Sequence, residues 1–173
     1  WSGRRYFSMP WLDGSHVLSL SLRGGVRGGE SGATGSFSLG GVPEQDIVSD
    51  LLNDTQAAGV YLRGYEPGAF HGTSYHLFTA EYRFPIWRIR HGVDTLPIFF
   101  RDLSAAVFTD AGLAYSRSTD VEALMSLRAG IGAELRFTID LFYGLSASFR
   151  IGYARGLMDE GIDQFYILLG PNP

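Results

Sequence analysis

Residues 125–137 read MSLRAGIGAELRF, and this stretch decides the fold class because its side chains alternate in character. Every odd position carries an apolar residue. The even positions carry charged or small residues: Ser126, Arg128, Gly130, Gly132, Glu134 and Arg136. Successive side chains of a β-strand point to opposite faces of its sheet. The pattern therefore predicts a long strand with one apolar face and one face of charged and small residues.

The same alternation recurs along the chain. It is clear in residues 16–23, 75–84, 145–153 and 164–169. With weaker patterns included, we predict about eight strands, over residues 2–10, 15–28, 34–40, 72–86, 97–111, 123–137, 140–155 and 162–169. Asp13-Gly14 is typical of the hairpin turn that joins two antiparallel strands. The sequence therefore predicts an all-β, antiparallel protein in one domain, residues 1–173.

The composition excludes several classes of protein. The chain has 173 residues, no Cys and a formal net charge of −4. Without Cys it has no thiol chemistry and no thiolate ligands for zinc. The modest negative charge gives no reason to expect nucleic acid as a partner. It has no run of about 18 apolar residues, so we expect no transmembrane helix.

Alternation by itself fits two architectures. In a soluble sandwich the apolar face is the core, whereas in a membrane barrel the apolar face meets lipid and the charged face lines the lumen. Globular strands are usually about 5–6 residues long, and tilted strands of about 9–11 residues can cross a bilayer. The long strands, the glycines on the polar face and aromatics such as Trp1 and Trp87 near strand ends favour the membrane barrel.

One long segment, about residues 41–71, has no strand pattern. Connections of this length in compact proteins are usually functional. Within it, Glu44 to Ala58 has a helical pattern, with Pro43 before it and Gly59 after it. We therefore predict a long inserted loop that contains a short helix.

Five motifs follow one another in a specific order. They are Phe37-Ser38-Leu39-Gly40-Gly41, Leu62-Arg63-Gly64-Tyr65, Glu81-Tyr82-Arg83-Phe84-Pro85, Phe108-Thr109-Asp110-Ala111-Gly112 and Gly130-Ile131-Gly132. Over about residues 34–170, their order and spacing resemble the C-terminal half of the outer-membrane assembly-factor and two-partner-secretion barrels. This superfamily is also called the bacterial surface antigen barrels. The chain looks closest to barrels that follow a periplasmic β-propeller of the translocation-protein type.

The resemblance implies a specific site. In that superfamily the loop before the fifth strand from the end folds into the lumen, and its Arg-Gly-aromatic tip pairs with acids on the barrel wall. Carried over by position, Arg63 is the tip arginine within Leu62, Arg63, Gly64 and Tyr65. Asp110 is its partner and Glu81 a second candidate. The supporting residues are Phe108, Gly112, Arg83, Gly130 and Gly132.

The resemblance also implies a function and a location. We expect a Gram-negative outer-membrane barrel that takes part in protein insertion or in polypeptide translocation across the outer membrane. Its expected partners are outer-membrane lipids and periplasmic or outer-membrane proteins. The alternative is a membrane anchor or docking subunit of a larger outer-membrane complex that translocates nothing itself.

Two departures from the superfamily keep the architecture open. Its barrels have sixteen strands and usually follow peptide-binding domains, whereas about eight strands and no such domain are predicted here. We therefore expect the C-terminal portion of a longer protein. Either missing upstream strands or a second copy complete the barrel, or the eight strands close by themselves.

The candidate site residues also have interpretations that involve no specific site. Arg63-Gly64 alone would fit a solvated turn. The charged residues on the polar face could form a lumen network that holds the loop, or they could be the generic hydrophilic wall that any barrel needs. They are Glu81, Arg83, Arg128, Glu134, Arg136 and Arg150. We favour the generic wall for Arg136 and Arg150, and both interpretations fit Glu81 equally well. The histidines are scattered, and no Ser-His-Asp arrangement or metal pair stands out, so we expect no catalytic residue, metal or cofactor. The histidines are His16, His71, His76 and His91.

Overall fold

The computed structural model describes residues 1–10, 15–27, 36–42, 61–92, 96–116, 127–142 and 145–171. These residues form ten strands: β1 Ser2–Ser8, β2 Val17–Val26, β3 Phe37–Leu39, β4 Phe70–Gly72, β5 Ser74–Trp87, β6 His91–Gly92, β7 Ile98–Tyr115, β8 Arg128–Leu141, β9 Leu145–Gly156 and β10 Asp163–Pro171. The all-β prediction is confirmed. The helix predicted for Glu44 to Ala58 lies outside the described residues.

The strands form one large antiparallel sheet and one small ribbon. The large sheet has the order β1-β2-β5-β7-β8-β9-β10, with the short β6 also paired to β7. Each pairing along this path is antiparallel. In the part of the chain that the structure describes, β1 and β10 each pair on one side only. As far as the described residues go, the sheet therefore has two open edges.

The predicted strand at 34–40 is not part of the large sheet, which corrects the sequence prediction. Its central residues form β3, which pairs with β4 in the separate ribbon. The reason is that β2 pairs directly with β5 over its whole length, from Val17 opposite Arg83 to Val26 opposite Ser74. No free edge is left between them. The chain from β3 to β4 is therefore an insertion between two neighbouring strands of the sheet.

The two faces of the large sheet have opposite character. Strands β1 and β10 are at opposite ends of the strand order, yet Arg4 of β1 and Leu168 of β10 line the same cavity. The sheet therefore curves, and its polar face is concave. Most of the buried polar side chains lie on this face: Ser19, Ser21, Glu81, Asp110, Glu134, Arg136, Thr138 and Ser148. The convex face exposes a large apolar side chain from each strand: Phe7, Leu22, Phe78, Val107, Leu135, Ile151 and Ile167. The alternation predicted from sequence is thus present, with its charged side buried.

The apolar core is small and lies on the concave side. One cluster consists of Leu39, Leu62, Tyr65 and Leu77, which joins the insertion to β5. A second cluster consists of Phe108, Ala154, Tyr166 and Leu168. Across the described ranges, no helix is long and apolar enough to cross a membrane.

Candidate functional site

The insertion contains a tight turn at Arg63-Gly64 that reaches the far end of the sheet. Gly64 lies in this turn with a φ of 88°, a conformation that favours glycine. Its carbonyl oxygen accepts a hydrogen bond from the Ile162 amide at 2.9 Å, and its amide donates one to the Gln164 side chain at 3.1 Å. A Cβ at Gly64 would also collide with the backbone of Arg155 and Gly156. The turn is therefore seated against the β9–β10 connection.

The residues on either side of Arg63-Gly64 anchor the turn by packing. The side chains of Leu62 and Tyr65 have no exposed surface, and both contact the cluster around Leu39. The Tyr65 hydroxyl donates a hydrogen bond to the carbonyl oxygen of Ala129 at 2.8 Å. It also accepts one from the Met158 amide at 3.3 Å. Burying both the ring and its polar end places the loop at one position on the sheet.

Arg63 points into the concave face and forms a two-pronged ion pair. Its Nε donates to Asp110 Oδ2 at 2.6 Å, and its Nη2 donates to Asp110 Oδ1 at 2.9 Å. Its Nη1 donates to Glu134 Oε1 at 3.3 Å. The guanidinium also stacks on Phe108, with Cζ 3.3 Å from the ring centroid. Such a planar fork on a carboxylate is geometrically specific and charge-assisted.

The surroundings of Arg63 keep it charged. Burial by itself would lower the pKa of its guanidinium, but the hydrogen bonds and the charge of Asp110 outweigh burial and raise that pKa above its ordinary value. Asp110 is almost completely buried, with 1% of its surface exposed. An unpaired carboxylate in such a place would be strongly destabilising. The two residues therefore depend on each other.

A wider charge network extends from this pair. Arg136 binds Glu134 Oε2 through Nη2 at 2.7 Å and lies 2.9 Å from Glu81 Oε1. Arg83 donates to Glu81 as well. The Tyr166 hydroxyl donates to Glu134 Oε1 at 2.7 Å. Strands β5, β7, β8 and β10 are thus joined to the loop tip by one connected set of polar side chains.

Three glycines leave space for the loop. A Cβ at Gly130 would collide with the carbonyl oxygen of Arg63. A Cβ at Gly132 would collide with the Phe108 ring on which Arg63 stacks. At Gly112 it would press on Leu39 and Leu77 at 3.1 and 3.2 Å. Small residues on the polar face therefore serve close packing of the insertion against the wall.

The structure brings most of the predicted site residues together, in unequal roles. Asp110 is the direct partner of Arg63, whereas Glu81 only approaches it, with 4.0 Å between Arg63 Nη1 and Glu81 Oε2. Arg83 and Arg136 hold Glu81. Arg136 is a bridge between two of the carboxylates, Glu81 and Glu134, and this corrects its assignment to a generic wall.

Sequence reasoning did not single out two contributors, although it placed Glu134 among the inward-facing charged residues that could hold the loop. Glu134 is the second partner of Arg63, and Tyr166 binds Glu134. Their inward parity was visible in the alternation of β8 and β10. What could have identified Glu134 is that it is a carboxylate on the same face as Gly130 and Gly132. The missing information was the position of each side chain along its strand relative to the loop tip, which the alternation of residues does not supply.

The arrangement is suited to holding a segment in place. Within the described ranges, no three His, Asp or Glu side chains are placed to hold a metal ion. The polar groups of the network are occupied with one another. Comparison of the chain with protein-family models, with curated proteins and with solved structures found no match.

Proposed function

We propose that this chain is the C-terminal portion of an outer-membrane β-barrel of the assembly and translocation superfamily. It takes part in inserting proteins into the outer membrane or in moving polypeptides across it. In this proposal Arg63 locks the inserted loop to the lumen wall, outer-membrane lipids surround the convex face, and periplasmic or outer-membrane proteins are the partners. The motif resemblance suggests the superfamily, and the polarity of the sheet supports the membrane location.

The observation that carries the proposal is the polarity of the sheet, which is the reverse of that in a soluble protein: the charged side chains are buried and the apolar side chains are exposed. On β8, Glu134 and Arg136 are 4% and 9% exposed, whereas Ile131 and Leu135 are 46% and 47% exposed. Contiguous exposed apolar surface on this scale marks a contact with a membrane or with another protein. An apolar band outside and a polar interior is the arrangement of a membrane barrel.

The seating of the loop supports the same proposal. The resemblance implies a tip arginine that pairs with acids of the inner wall, and Arg63 binds Asp110 and Glu134 on neighbouring strands. Both carboxylates lie on the concave face. A solvated turn would need no such partners, so the interpretation of Arg63-Gly64 as a simple solvated turn does not fit this geometry.

The open edges bear on how the barrel is completed. Unpaired strand edges expose backbone donors and acceptors that template another strand. In the described residues β1 and β10 each have one such edge. We propose that upstream strands of a longer chain, or a second copy of this one, pair with them. A lateral gap between the first and last strands of the completed barrel would favour the insertion function, because open edges template incoming strands.

The membrane location can be tested with two adjacent positions in this cysteine-free chain. Phe78 lies on the convex face and its neighbour Thr79 lines the concave cavity. A fluorescent label on Phe78→Cys should be quenched by nitroxides on lipid tails after reconstitution into vesicles. The matched label on Thr79→Cys should be quenched far less. Equal quenching of both labels by aqueous iodide, with no effect of the lipid nitroxide, would contradict the proposal.

The alternative function, an anchor or docking subunit, is favoured by one observation. The loop tip is bonded to β7, β8 and β10, and it occupies the concave face. A barrel that conducts polypeptides must release this tip. Planar-bilayer conductance separates the two functions: a translocating barrel should show larger or more frequent openings in Arg63→Ala than in the unaltered chain. Silence in both would favour the anchor.

A further inference from the structure

The concave face holds a cavity whose charges do not balance. Its volume is about 220 Å³. Among the described residues, six arginines and three carboxylates line it, an excess of three positive charges. The arginines are Arg4, Arg23, Arg63, Arg83, Arg136 and Arg150, and the carboxylates are Glu81, Asp110 and Glu134. The excess is notable because the whole chain carries a net charge of −4.

The three carboxylates are already occupied. Arg63 binds both oxygens of Asp110. Glu134 accepts hydrogen bonds from Arg63, Arg136 and the Tyr166 hydroxyl. Glu81 is held by Arg83 and Arg136. Arg63, Arg83 and Arg136 thus use the negative charge that the wall provides.

The other three arginines of the cavity have no carboxylate partner among the described residues. Arg150 lies directly opposite Arg136 on the neighbouring strand, and its only hydrogen bond within the described ranges is a long one, 3.4 Å, to the Ser148 hydroxyl. Over the same ranges no carboxylate lies within 4.0 Å of Arg150, Arg4 or Arg23. Like charges directly opposite each other on a sheet are destabilising.

An anion would relieve this repulsion. Arginine forks bind phosphate oxygens in the same bidentate way as carboxylates. One chloride would leave two of the three charges uncompensated, whereas a phosphate or diphosphate group carries two or more negative charges. A cavity of about 220 Å³ has room for such a group, since a water molecule takes up ~30 Å³ of liquid.

We propose that this cavity is a binding site for a phosphate-bearing anion, held by Arg150, Arg23 and Arg4. The bound group is either a free phosphate compound or the head of a phospholipid. Arg4 is exposed on the open strand β1, while Arg23 and Arg150 are half-buried, so a ligand can enter from the β1 side. The anion completes the charge network without displacing the bond between Arg63 and Asp110.

The test is calorimetric titration of the detergent-purified chain with inorganic pyrophosphate and, in a second arm, with a short-chain phosphatidic acid. Arg150→Gln should weaken binding at least tenfold. Arg155→Gln is the matched control on the same strand, because Arg155 is exposed and pairs with Asp163 instead of lining the cavity. It should change the affinity less than twofold. Resistance of the loop to protease in each variant shows that the fold is retained.

The outcomes are distinct. Binding of pyrophosphate that Arg150→Gln weakens supports the site for a free phosphate compound, and binding of the lipid alone with the same dependence supports the head-group source. If Arg150→Gln fails to fold, Arg23→Gln takes its place. No binding in either arm, or equal loss in the Arg155→Gln control, overturns the proposal.

A third result would also overturn it. The stretch Glu44 to Asp54 contains four acids, Glu44, Asp46, Asp50 and Asp54, and no basic residue. Binding that arises only after these acids are changed to amides would mean that the chain's own carboxylates neutralise the arginines. The inference needs only the concave face and its charges, so failure of the vesicle-quenching experiment would leave it standing, and the reverse holds as well.

Discussion

Two ion pairs of the same chemical type occupy contrasting places in this molecule. Arg63 donates two hydrogen bonds to the carboxylate of Asp110. Arg101 binds Asp140 in the same two-pronged way, with Nε 3.2 Å from Oδ2 and Nη2 2.9 Å from Oδ1. The side chains of the first pair are 11% and 1% exposed, whereas those of the second are 42% and 24% exposed.

The difference shows that burial and connectivity, and not hydrogen-bond geometry, decide what such a pair does. Arg101 and Asp140 join two strands, β7 and β8, that are already paired along most of their length. Arg63 and Asp110 join the sheet to a loop. Water can replace a lost partner in the exposed pair, but it cannot readily do so in the buried one.

The largest effect is expected from breaking the buried pair. Arg63→Ala leaves the buried Asp110 without its cation and removes one of the two arginines that bind Glu134. This change should lower the free energy of unfolding by about 3–5 kcal/mol. Limited proteolysis should then cleave readily within residues 41–71. Unchanged protease resistance of this segment would show that Arg63 does not hold the loop.

The next effect is expected from the wall that faces the loop. Gly130→Ala places a methyl group against the carbonyl oxygen of Arg63, so the loop must shift and the ion pair must lengthen. Overpacking of this kind costs roughly 1–3 kcal/mol. Gly170→Ala is the matched control, since nothing lies within 4 Å of the added carbon there. Denaturant unfolding of the two variants would be compared, and equal midpoints would contradict the close approach.

A smaller effect is expected from the packing of the turn. Tyr65→Phe keeps the buried ring but removes the hydroxyl that binds the Ala129 carbonyl oxygen and the Met158 amide. The loss should be about 1 kcal/mol, the usual net contribution of a protein hydrogen bond. Hydrogen exchange of the Met158 amide should accelerate while that of β8 stays slow. Acceleration throughout the sheet would mean that the hydroxyl supports more than the loop.

The smallest effect is expected from the exposed pair. Arg101→Ala should leave the unfolding midpoint and the protease resistance of the loop close to those of the unaltered chain, because solvent and salt already screen this pair. The measurement is the same denaturant titration as for Arg63→Ala, at low and at high salt. A loss as large as that of Arg63→Ala would remove the contrast between the two pairs.

Much of the sheet could be predicted because strand alternation is a local property. The alternation of residues in β8 assigned Ile131 and Leu135 to one face and Glu134 and Arg136 to the other. The structure agrees, since the first two side chains are exposed and the other two are buried. The strand predicted at 34–40 was placed wrongly, since its own residues favour a strand but do not specify a partner. Pairing depends on which neighbour is free, and β5 already occupies the edge of β2.

The candidate site was predictable in part for the same reason. Arg63 and Asp110 were suggested by motif order, not by any local physical signal. Glu134 and Tyr166 were not singled out as partners, because strand alternation gives the face of a side chain but not its position along the strand relative to a loop 71 or more residues away. Register between strands sets that position.

The sequence by itself determined that this chain is all-β, with long strands whose charged and apolar residues lie on opposite faces. Those properties follow from the two-residue period of a strand and need no knowledge of neighbours. Only the tertiary structure decided that the charged face is the buried one, that the insertion lies against it and that Arg63 is shared by Asp110 and Glu134. Curvature and register bring distant residues together, and neither is encoded in any single strand.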